Sequence, residues 1–185
     1  MNQIQGFLGI TLAFALGGCA SLSESDCRKG DWYGIGTSDG RNGYTPNRLS
    51  HHDKACAKHG MGVNVHDYHA GHAEGLRQFC VPPRAFTLGR ENGTYHRLCP
   101  ADIEPDFLAA YDLGRDVHAI EQELASLEDE IESLLDEIDA DKTSEAAREM
   151  AEQRLRYVKK DRDRRERDRD ALLERARRLG YGNVW

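Results

Sequence analysis

Apolar residues in the C-terminal part of the chain recur at alternating spacings of three and four positions. The repeat comprises Val117, Ile120, Leu124, Leu127, Ile131, Leu134 and Ile138. Such a heptad seam is typical of a helix that packs lengthwise against another helix. A break follows at residues 139–144, where Thr143 or Ser144 is expected to cap a second helix. The pattern predicts an antiparallel helical hairpin over residues 116–179, about 35–40 Å long.

The two predicted hairpin helices differ in charge. Residues 116–141 contain eleven acidic and no basic residues, whereas residues 143–179 contain thirteen Lys or Arg and nine acids. In the middle of the second helix, the positions that face the first helix are occupied by arginines. We expect the alkyl parts of these arginines to cover the first helix while their guanidinium groups reach carboxylates there. These pairs are Arg162 over Leu124, Arg165 over Ile120 and Arg169 over Val117. An intermolecular coiled coil is the alternative.

The basic run at residues 159–169 has two interpretations. Clustered Lys and Arg side chains could bind an acidic lipid or polymer. The run is interleaved with four carboxylates, which favours an ordinary solvated helix face. These are Asp161, Asp163, Glu166 and Asp168.

An aromatic residue followed three positions later by glycine, and often by another glycine four positions after that, recurs in residues 27–115. The copies are Tyr33–Gly36–Gly40, Tyr68–Gly71–Gly75, Phe86–Gly89–Gly93 and the partial Tyr111–Gly114. Residues three and four apart share one face of a helix, so each copy places a ring beside a bare backbone groove. The pattern predicts short helices that approach closely, with Asp31, Ser50 and Asp67 as N-terminal residues. Glycines placed in turns are the alternative.

The N-terminus has the pattern of an export signal. Residues 7–16 form an apolar run of ten, too short to span a bilayer. The run ends in Leu16-Gly17-Gly18-Cys19, which resembles a bacterial lipobox, although residues 1–6 contain no Lys or Arg. The resemblance implies a signal peptide over residues 1–18, acyl chains such as palmitate on Cys19 and a tether over residues 19–26. Ala20, rather than Asp, implies release to the outer membrane. An ordinary signal peptide is the alternative.

The remaining cysteines agree with an oxidising compartment. Four are left after Cys19, an even number with no Cys-x-x-Cys spacing. They are Cys27, Cys56, Cys80 and Cys99. Three pairings are open, of which we favour the local one, Cys27–Cys56 with Cys80–Cys99. Free buried thiols are the alternative.

Candidate chemistry is sparse in this chain. The chain of 185 residues has a net charge of −7, which argues against nucleic acid as a partner. Gly36-Thr37-Ser38-Asp39-Gly40 matches a serine-nucleophile pattern, but no α/β sheet is predicted to support it. Histidines cluster in residues 51–72, and His66, His69 and His72 are three apart, as in a weak candidate metal site. Surface histidines are the alternative, and no cofactor is predicted.

Several spaced motifs resemble a known family. The first runs from Trp32 through Gly36 and Asp39 to Gly43, and the others contain the glycine repeats that end in Cys80 and Cys99. Over residues 26–115 they resemble the bacterial lipoproteins grouped as domain of unknown function 2799. The resemblance implies export and, often, lipidation, and it implies no catalytic residue.

The sequence therefore predicts a mainly α-helical protein. A disulfide-linked head over residues 27–115 precedes the hairpin, and residues 180–185 form a tail that docks on the head or frays. We expect a non-enzymatic, lipid-anchored protein of the outer membrane that faces the periplasm. Its partners would be the membrane, and another envelope protein or a second copy through residues 116–179. A metal-binding module using residues 51–72 and an envelope-acting enzyme are the alternatives.

Overall fold

The computed structural model describes residues 21–141 and 143–181, which form seven α-helices and one 3-10 helix. In chain order they are α1 Glu24–Lys29, α2 Trp32–Arg41, the 3-10 helix Pro46–Arg48, α3 Leu49–Ala57, α4 Val65–Phe79, α5 Pro82–Arg90, α6 Glu104–Asp139 and α7 Glu145–Arg178. These residues contain no β-strand, so the predicted helical fold is confirmed. None of the described helices is both long and apolar enough to cross a membrane. The predicted signal peptide, Cys19 and residues 182–185 lie outside the described residues.

The first two glycine copies pair with each other, as α2 packs against α4. A Cβ atom added to Gly36 would lie 2.1 Å from the carbonyl oxygen of Tyr68. Reciprocally, a Cβ atom on Gly71 would lie 2.0 Å from the carbonyl oxygen of Tyr33. No side chain fits at either position, so the two backbones touch where each aromatic residue faces the other copy's glycine. The prediction of close helix approach is confirmed for this pair.

The same contact repeats one turn further along both helices. Cβ atoms on Gly40 and Gly75 would lie 2.2 Å from the carbonyl oxygens of His72 and Thr37, respectively. Contacts therefore advance together along the two helices, which means that α2 and α4 run parallel. The chain between them, which includes α3, makes the return path.

The third and fourth copies form a second pair of the same kind, between α5 and α6. A Cβ atom on Gly89 would lie 2.1 Å from the carbonyl oxygen of Tyr111, and one on Gly114 would lie 2.2 Å from that of Phe86. Gly93, the second glycine of the third copy, lies beyond the end of α5 at Arg90. The head is thus built from two glycine-paired helix couples.

Two disulfides cross-link the head. Cys27 in α1 is bonded to Cys56 in α3, and Cys80 after α4 is bonded to Cys99 before α6. This is the local pairing that the sequence favoured. By loop-closure entropy each bond is expected to stabilise the fold by about 3 kcal/mol.

Helix α6 belongs to both the head and the hairpin. It runs without a break from Glu104 to Asp139, so no structural boundary falls between residues 115 and 116. One face of its first half is buried in the head, where Phe107 lies against Phe79 with 5.4 Å between ring centroids. Its second half packs against α7 through a cluster that contains Ile131, Leu134, Ala151 and Val158. At 1.5 Å per residue the whole helix is about 54 Å long.

The predicted hairpin is confirmed, including the break between Asp139 and Glu145. Helix α7 returns along α6, and its far end reaches the head, where Ala176 is buried in the same cluster as Phe86. Tyr181, in the predicted tail of residues 180–185, lies 6.1 Å from the Phe86 ring, measured between ring centroids.

The cationic part of the α7 seam follows the prediction at one position. Arg165 Nε lies 2.8 Å from a carboxylate oxygen of Glu123 on α6, as expected. The prediction is wrong for Arg162 and Arg169, which bind Asp163 and Asp170 on their own helix at 2.7 Å and 2.9 Å. An adjacent carboxylate is already held near the guanidinium, so this pairing costs less side-chain entropy than reaching across to α6.

Two helix caps agree with the sequence. The Asp31 carboxylate accepts a hydrogen bond from the Gly34 N–H at 2.9 Å, at the start of α2. The Ser144 hydroxyl accepts one from the Ala147 N–H at 3.3 Å, at the start of α7. In both cases a short polar side chain satisfies an N–H group that the first turn of a helix leaves free.

Two other caps differ from the sequence prediction. Ser50 is not a cap, because α3 already begins at Leu49 and the hydroxyl donates back to the Asn47 carbonyl. Helix α4 is capped by Asn64, whose side chain accepts from the Asp67 N–H at 3.1 Å. Asp67 instead lies in the first turn, where its negative charge is favourable beside the helix N-terminus.

Candidate functional site

A buried carboxylate lies where four elements of the head meet. Asp39, on α2, accepts hydrogen bonds at Oδ2 from the Tyr68 hydroxyl and from His52 Nε2, both at 2.8 Å. Its second oxygen, Oδ1, lies 3.2 Å from Arg48 Nε. Tyr68 is on α4, His52 on α3 and Arg48 at the end of the 3-10 helix. One acidic group therefore connects α2 and α4 to the 3-10 helix and α3, which lie between them in the chain.

Helical periodicity brings these side chains inward. Asp39 lies three residues after Gly36 and one before Gly40, so it shares the α2 face that packs on α4. His52 lies three residues after Leu49 and four before Cys56, both of which are buried. A buried charge is costly unless it is paired, which explains why several donors surround Asp39.

The environment of the cluster changes the acidity of Tyr68. Burial raises the pKa of the Tyr68 hydroxyl, and the hydrogen bond to Asp39 raises this pKa further because it is made by the neutral form. The ring has no solvent exposure. The hydroxyl is therefore a fixed hydrogen-bond donor at physiological pH.

The buried cluster reaches the surface through Ser21. Its Oγ lies 2.9 Å from Nδ1 of His52, whose Nε2 faces Asp39. With Nε2–H donating to the carboxylate, Nδ1 of a neutral His52 accepts the hydroxyl hydrogen. Hydroxyl, imidazole and carboxylate then have the connectivity of an activated serine, although the ring nitrogens are exchanged relative to the serine-protease arrangement. Ser21 lies two residues after Cys19.

A surface cleft of about 520 Å³ opens beside Ser21. Arg48, His51 and His96 line it together with polar side chains, and no Asp or Glu is among its lining residues. The guanidinium of Arg48 lies over the Tyr44 ring, 3.8 Å from the ring centroid. Because an aromatic face attracts a cation, this contact fixes the plane of the guanidinium. We refer to this site as the Arg48 cleft.

The three histidines of the candidate metal site are not brought together. His72 is buried, and its Nε2 donates to the Tyr44 carbonyl at 2.7 Å. His66 is exposed and contacts Asp67, and His69 is also exposed. Within residues 21–141 and 143–181, no group of three or more His, Cys, Asp or Glu side chains could hold a metal ion. His72 instead connects α4 to the segment before the 3-10 helix through this hydrogen bond.

The serine-nucleophile pattern does not form the elbow that its chemistry needs. Ser38 lies inside α2, where its carbonyl accepts hydrogen bonds from the backbone and side chain of Asn42. A nucleophile elbow requires a sharp turn between a strand and a helix. The functional interest of this segment lies in the next residue, Asp39.

Sequence reasoning missed the pairing of Asp39 with His52. A signal was present, since each polar residue falls on the apolar face of its own helix. Polar residues at core positions call for a partner, so the two could have been assigned to each other. Ser21 carried no comparable signal, because the path of the segment before α1 follows no periodicity.

Comparison with known families gives one match. Residues 31–116 match the family described as protein of unknown function (DUF2799). The matched segment contains all four aromatic–glycine copies and Asp39, His52 and Tyr68, whereas Ser21, most of the second half of α6 and α7 lie outside it. Comparison with curated proteins and with solved structures gives no match.

Proposed function

We propose that this chain, whose residues 31–116 match the DUF2799 family, is a lipid-anchored protein of the bacterial cell envelope that binds a partner protein through its hairpin. The proposal places acyl chains on Cys19 and the folded head in the periplasm, with the outer membrane as the anchoring bilayer. The role is one of binding or spacing rather than catalysis.

Two features support the anchoring part of the proposal. The segment Leu16-Gly17-Gly18-Cys19 follows a short apolar run, as in bacterial lipoproteins. The two disulfides of the head suit an oxidising compartment such as the periplasm. The described head begins close to the anchor, since helix α1 starts at Glu24 and leaves only a short connection to Cys19.

The hairpin extends well past the head. Arg90 at the end of α5 binds Glu121 of α6, with 2.7 Å between Nη2 and Oε1. From Glu121 to the end of α6 at Asp139 the helix continues for about 27 Å at 1.5 Å per residue. A rigid arm of this length can present a surface at a distance from the head.

The observation that carries the binding proposal is a pair of exposed apolar side chains on this arm. Met150 and Tyr157, two turns apart on α7, are 71% and 68% exposed. Tyr157 also borders a groove of about 460 Å³ between the two hairpin helices, beside Leu127 and Arg164. Aromatic, methionine and arginine side chains are enriched in protein interfaces, which favours this flank as the contact surface.

Site-specific photo-crosslinking in cells tests the binding proposal. A photoreactive phenylalanine analogue replaces Tyr157 in one variant and Lys159 in a matched control, which lies about 200° around the same helix. We expect a discrete crosslinked product from position 157 and much less from position 159. A product with twice the mass of the chain would identify self-association through residues 116–179. Equal products from both positions, or none from either, would contradict the binding role.

The hydrogen-bonded chain of Ser21, His52 and Asp39 favours a second candidate function, hydrolysis of an ester or amide in the envelope. Here Ser21 Oγ would attack the carbonyl carbon while His52 takes its proton and passes it to the alcohol or amine that leaves as the ester or amide bond breaks. Water, deprotonated by His52, would then hydrolyse the acyl group from Ser21, and Asp39 would hold the imidazole in both steps. A fluorophosphonate probe added to the full chain tests this. The hydrolase candidate predicts labelling of Ser21 that is lost in Ser21→Ala and retained in Ser38→Ala. Absence of labelling on Ser21 would eliminate this candidate.

A further inference from the structure

The Arg48 cleft has a lining unlike the acidic chain around it. The protein has a net charge of −7, yet the cleft is lined by one arginine and two histidines and by no carboxylate. Its other polar lining groups include Ser21, Thr45 and Asn47, whose hydroxyl and amide groups can donate hydrogen bonds. A carboxylate-free concavity with several donors is suited to an anion.

Arg48 is not fully engaged by Asp39. Its Nε is buried 3.2 Å from Asp39 Oδ1 but forms no hydrogen bond within residues 21–141 and 143–181, so a ligand in the cleft would use the two Nη groups of the guanidinium. The Asp39 carboxylate is shared with His52 and Tyr68, so Arg48 does not hold it alone. The guanidinium is fixed against Tyr44 and borders the cleft, where it can present its planar donor edge to an oxyanion.

The position of the cleft along the chain indicates where its anion comes from. Ser21 lines the cleft and is separated from Cys19 by one residue, Ala20. Two residues of extended chain span about 7 Å at most. If Cys19 is acylated, as the proposed function requires, the cleft opens next to the headgroup layer of the anchoring bilayer.

We propose that the Arg48 cleft binds the phosphate group of an anionic phospholipid in the membrane that holds Cys19. The inference rests on the proposed anchoring and adds to it a second, headgroup-specific contact with the membrane. Arg48 binds the phosphate oxygens, and His51 and His96 contribute donors from the sides of the cleft. Together the acyl chains and the headgroup contact hold the head at a defined orientation on the bilayer.

The experiment measures headgroup binding by the full chain, purified in a neutral detergent, by calorimetry. The ligands are short-chain phosphatidylglycerol, short-chain phosphatidylcholine and inorganic phosphate. The variants are Arg48→Gln, the double variant His51→Gln/His96→Gln and the control Arg28→Gln. Arg28 is an exposed arginine that pairs with Glu24 on α1. The double histidine variant changes only exposed side chains, so it is informative even if Arg48→Gln weakens the fold.

We expect saturable binding of phosphatidylglycerol and none of phosphatidylcholine. Arg48→Gln removes one charged contact and should weaken binding about tenfold, as the loss of one charged hydrogen bond does. The double histidine variant removes two further donors and should also weaken binding, whereas Arg28→Gln should bind as the unaltered chain does.

The other outcomes overturn the inference in distinguishable ways. Equal affinity for inorganic phosphate would show that the site takes free phosphate and not a lipid headgroup. No binding, or equal weakening in Arg28→Gln, would show that the cleft has no specific anion site. The intact mass of the same sample reports whether Cys19 carries acyl chains, so a failure of the anchoring proposal is separable from a failure of the cleft proposal.

Discussion

At the scale of single residues, the head is organised around one negative charge. Asp39 is buried and holds together α2, α3, α4 and the 3-10 helix through His52, Tyr68 and Arg48. Such a network specifies geometry more than it adds stability, because burying the charges offsets much of their attraction. Removing one member is different, since the remaining groups stay buried without a partner.

We therefore expect Asp39→Ala to destabilise the protein strongly. The change leaves His52 and Tyr68 buried without their acceptor, which should lower the free energy of unfolding by about 3–5 kcal/mol. Asp53→Ala is the matched control, since Asp53 is exposed on α3, and it should change the free energy by less than about 0.5 kcal/mol. Urea unfolding followed by circular dichroism measures both. Similar values for the two variants would contradict the network.

Tyr68 gives the network a signature at alkaline pH. Its pKa is raised in the folded protein, so the unfolded chain ionises first, near the ordinary value of 10.0. The stabilisation from this group is therefore fully present below pH 10.0 and falls as the pH rises above that value. We expect the loss of folding stability at alkaline pH to be smaller in Tyr68→Phe than in the control Tyr157→Phe, because Tyr157 is exposed. Melting temperatures between pH 9 and pH 11 provide the measurement, and identical alkaline slopes would refute the assignment.

At the scale of elements, glycine determines which helices pair. The four aromatic–glycine copies pair as first with second and third with fourth, each through a carbonyl oxygen that faces the partner's glycine. Contacts this short allow weak Cα–H···O hydrogen bonds in addition to dispersion. The cost of glycine within a helix, about 1 kcal/mol relative to alanine, is offset by this close backbone packing.

Replacing one of these glycines tests the arrangement. Gly71→Ala improves helix propensity, yet its Cβ would lie 2.0 Å from the Tyr33 carbonyl oxygen, so α2 and α4 must move apart. We expect a loss of about 1–3 kcal/mol of stability, as for other overpacked positions. Gly62→Ala is the control, because a Cβ atom there meets nothing within 4 Å. Thermal melts of the two variants should differ clearly in midpoint, and an unchanged melt for Gly71→Ala would argue against the close contact.

The helices were largely predictable from the sequence, whereas their pairing was not. Apolar residues such as Leu124 and Ile131 recur at spacings of three and four positions. This one repeat was enough to predict both hairpin helices and the break between them. The glycine spacing predicted close helix approach, but not which copies pair, because any copy offers the same bare groove. The continuity of α6 through residues 115 and 116 was missed, since the glycine pattern and the heptad pattern meet there within one helix.

The candidate site was less predictable than the fold. Its partners come from α2, α3, α4 and the segment before α1, so their proximity depends on the return path between the glycine-paired helices. The spacing of His66, His69 and His72 suggested a metal site, yet His72 is turned inward toward the Tyr44 carbonyl. Local spacing describes one helix face and carries no information about which residue of another helix lies opposite.

At the scale of the whole molecule, the structure combines a cross-linked head with an arm that shares a helix with it. Because α6 is continuous and Ala176 of α7 is buried against the head, both hairpin helices are joined to the head. This connection suits the spacer or binding arm that we propose.

The proposed roles of the arm and the cleft both depend on lipid on Cys19 that anchors the chain to the envelope. Intact-mass spectrometry of the protein recovered from the membrane fraction of a bacterium that produces it tests this most directly, with Cys19→Ser as the control. We expect a mature chain that begins at Cys19 and carries the added mass of acyl chains, and we expect the control to lose both features. An unprocessed chain that begins at Met1 and carries no acyl mass would contradict it.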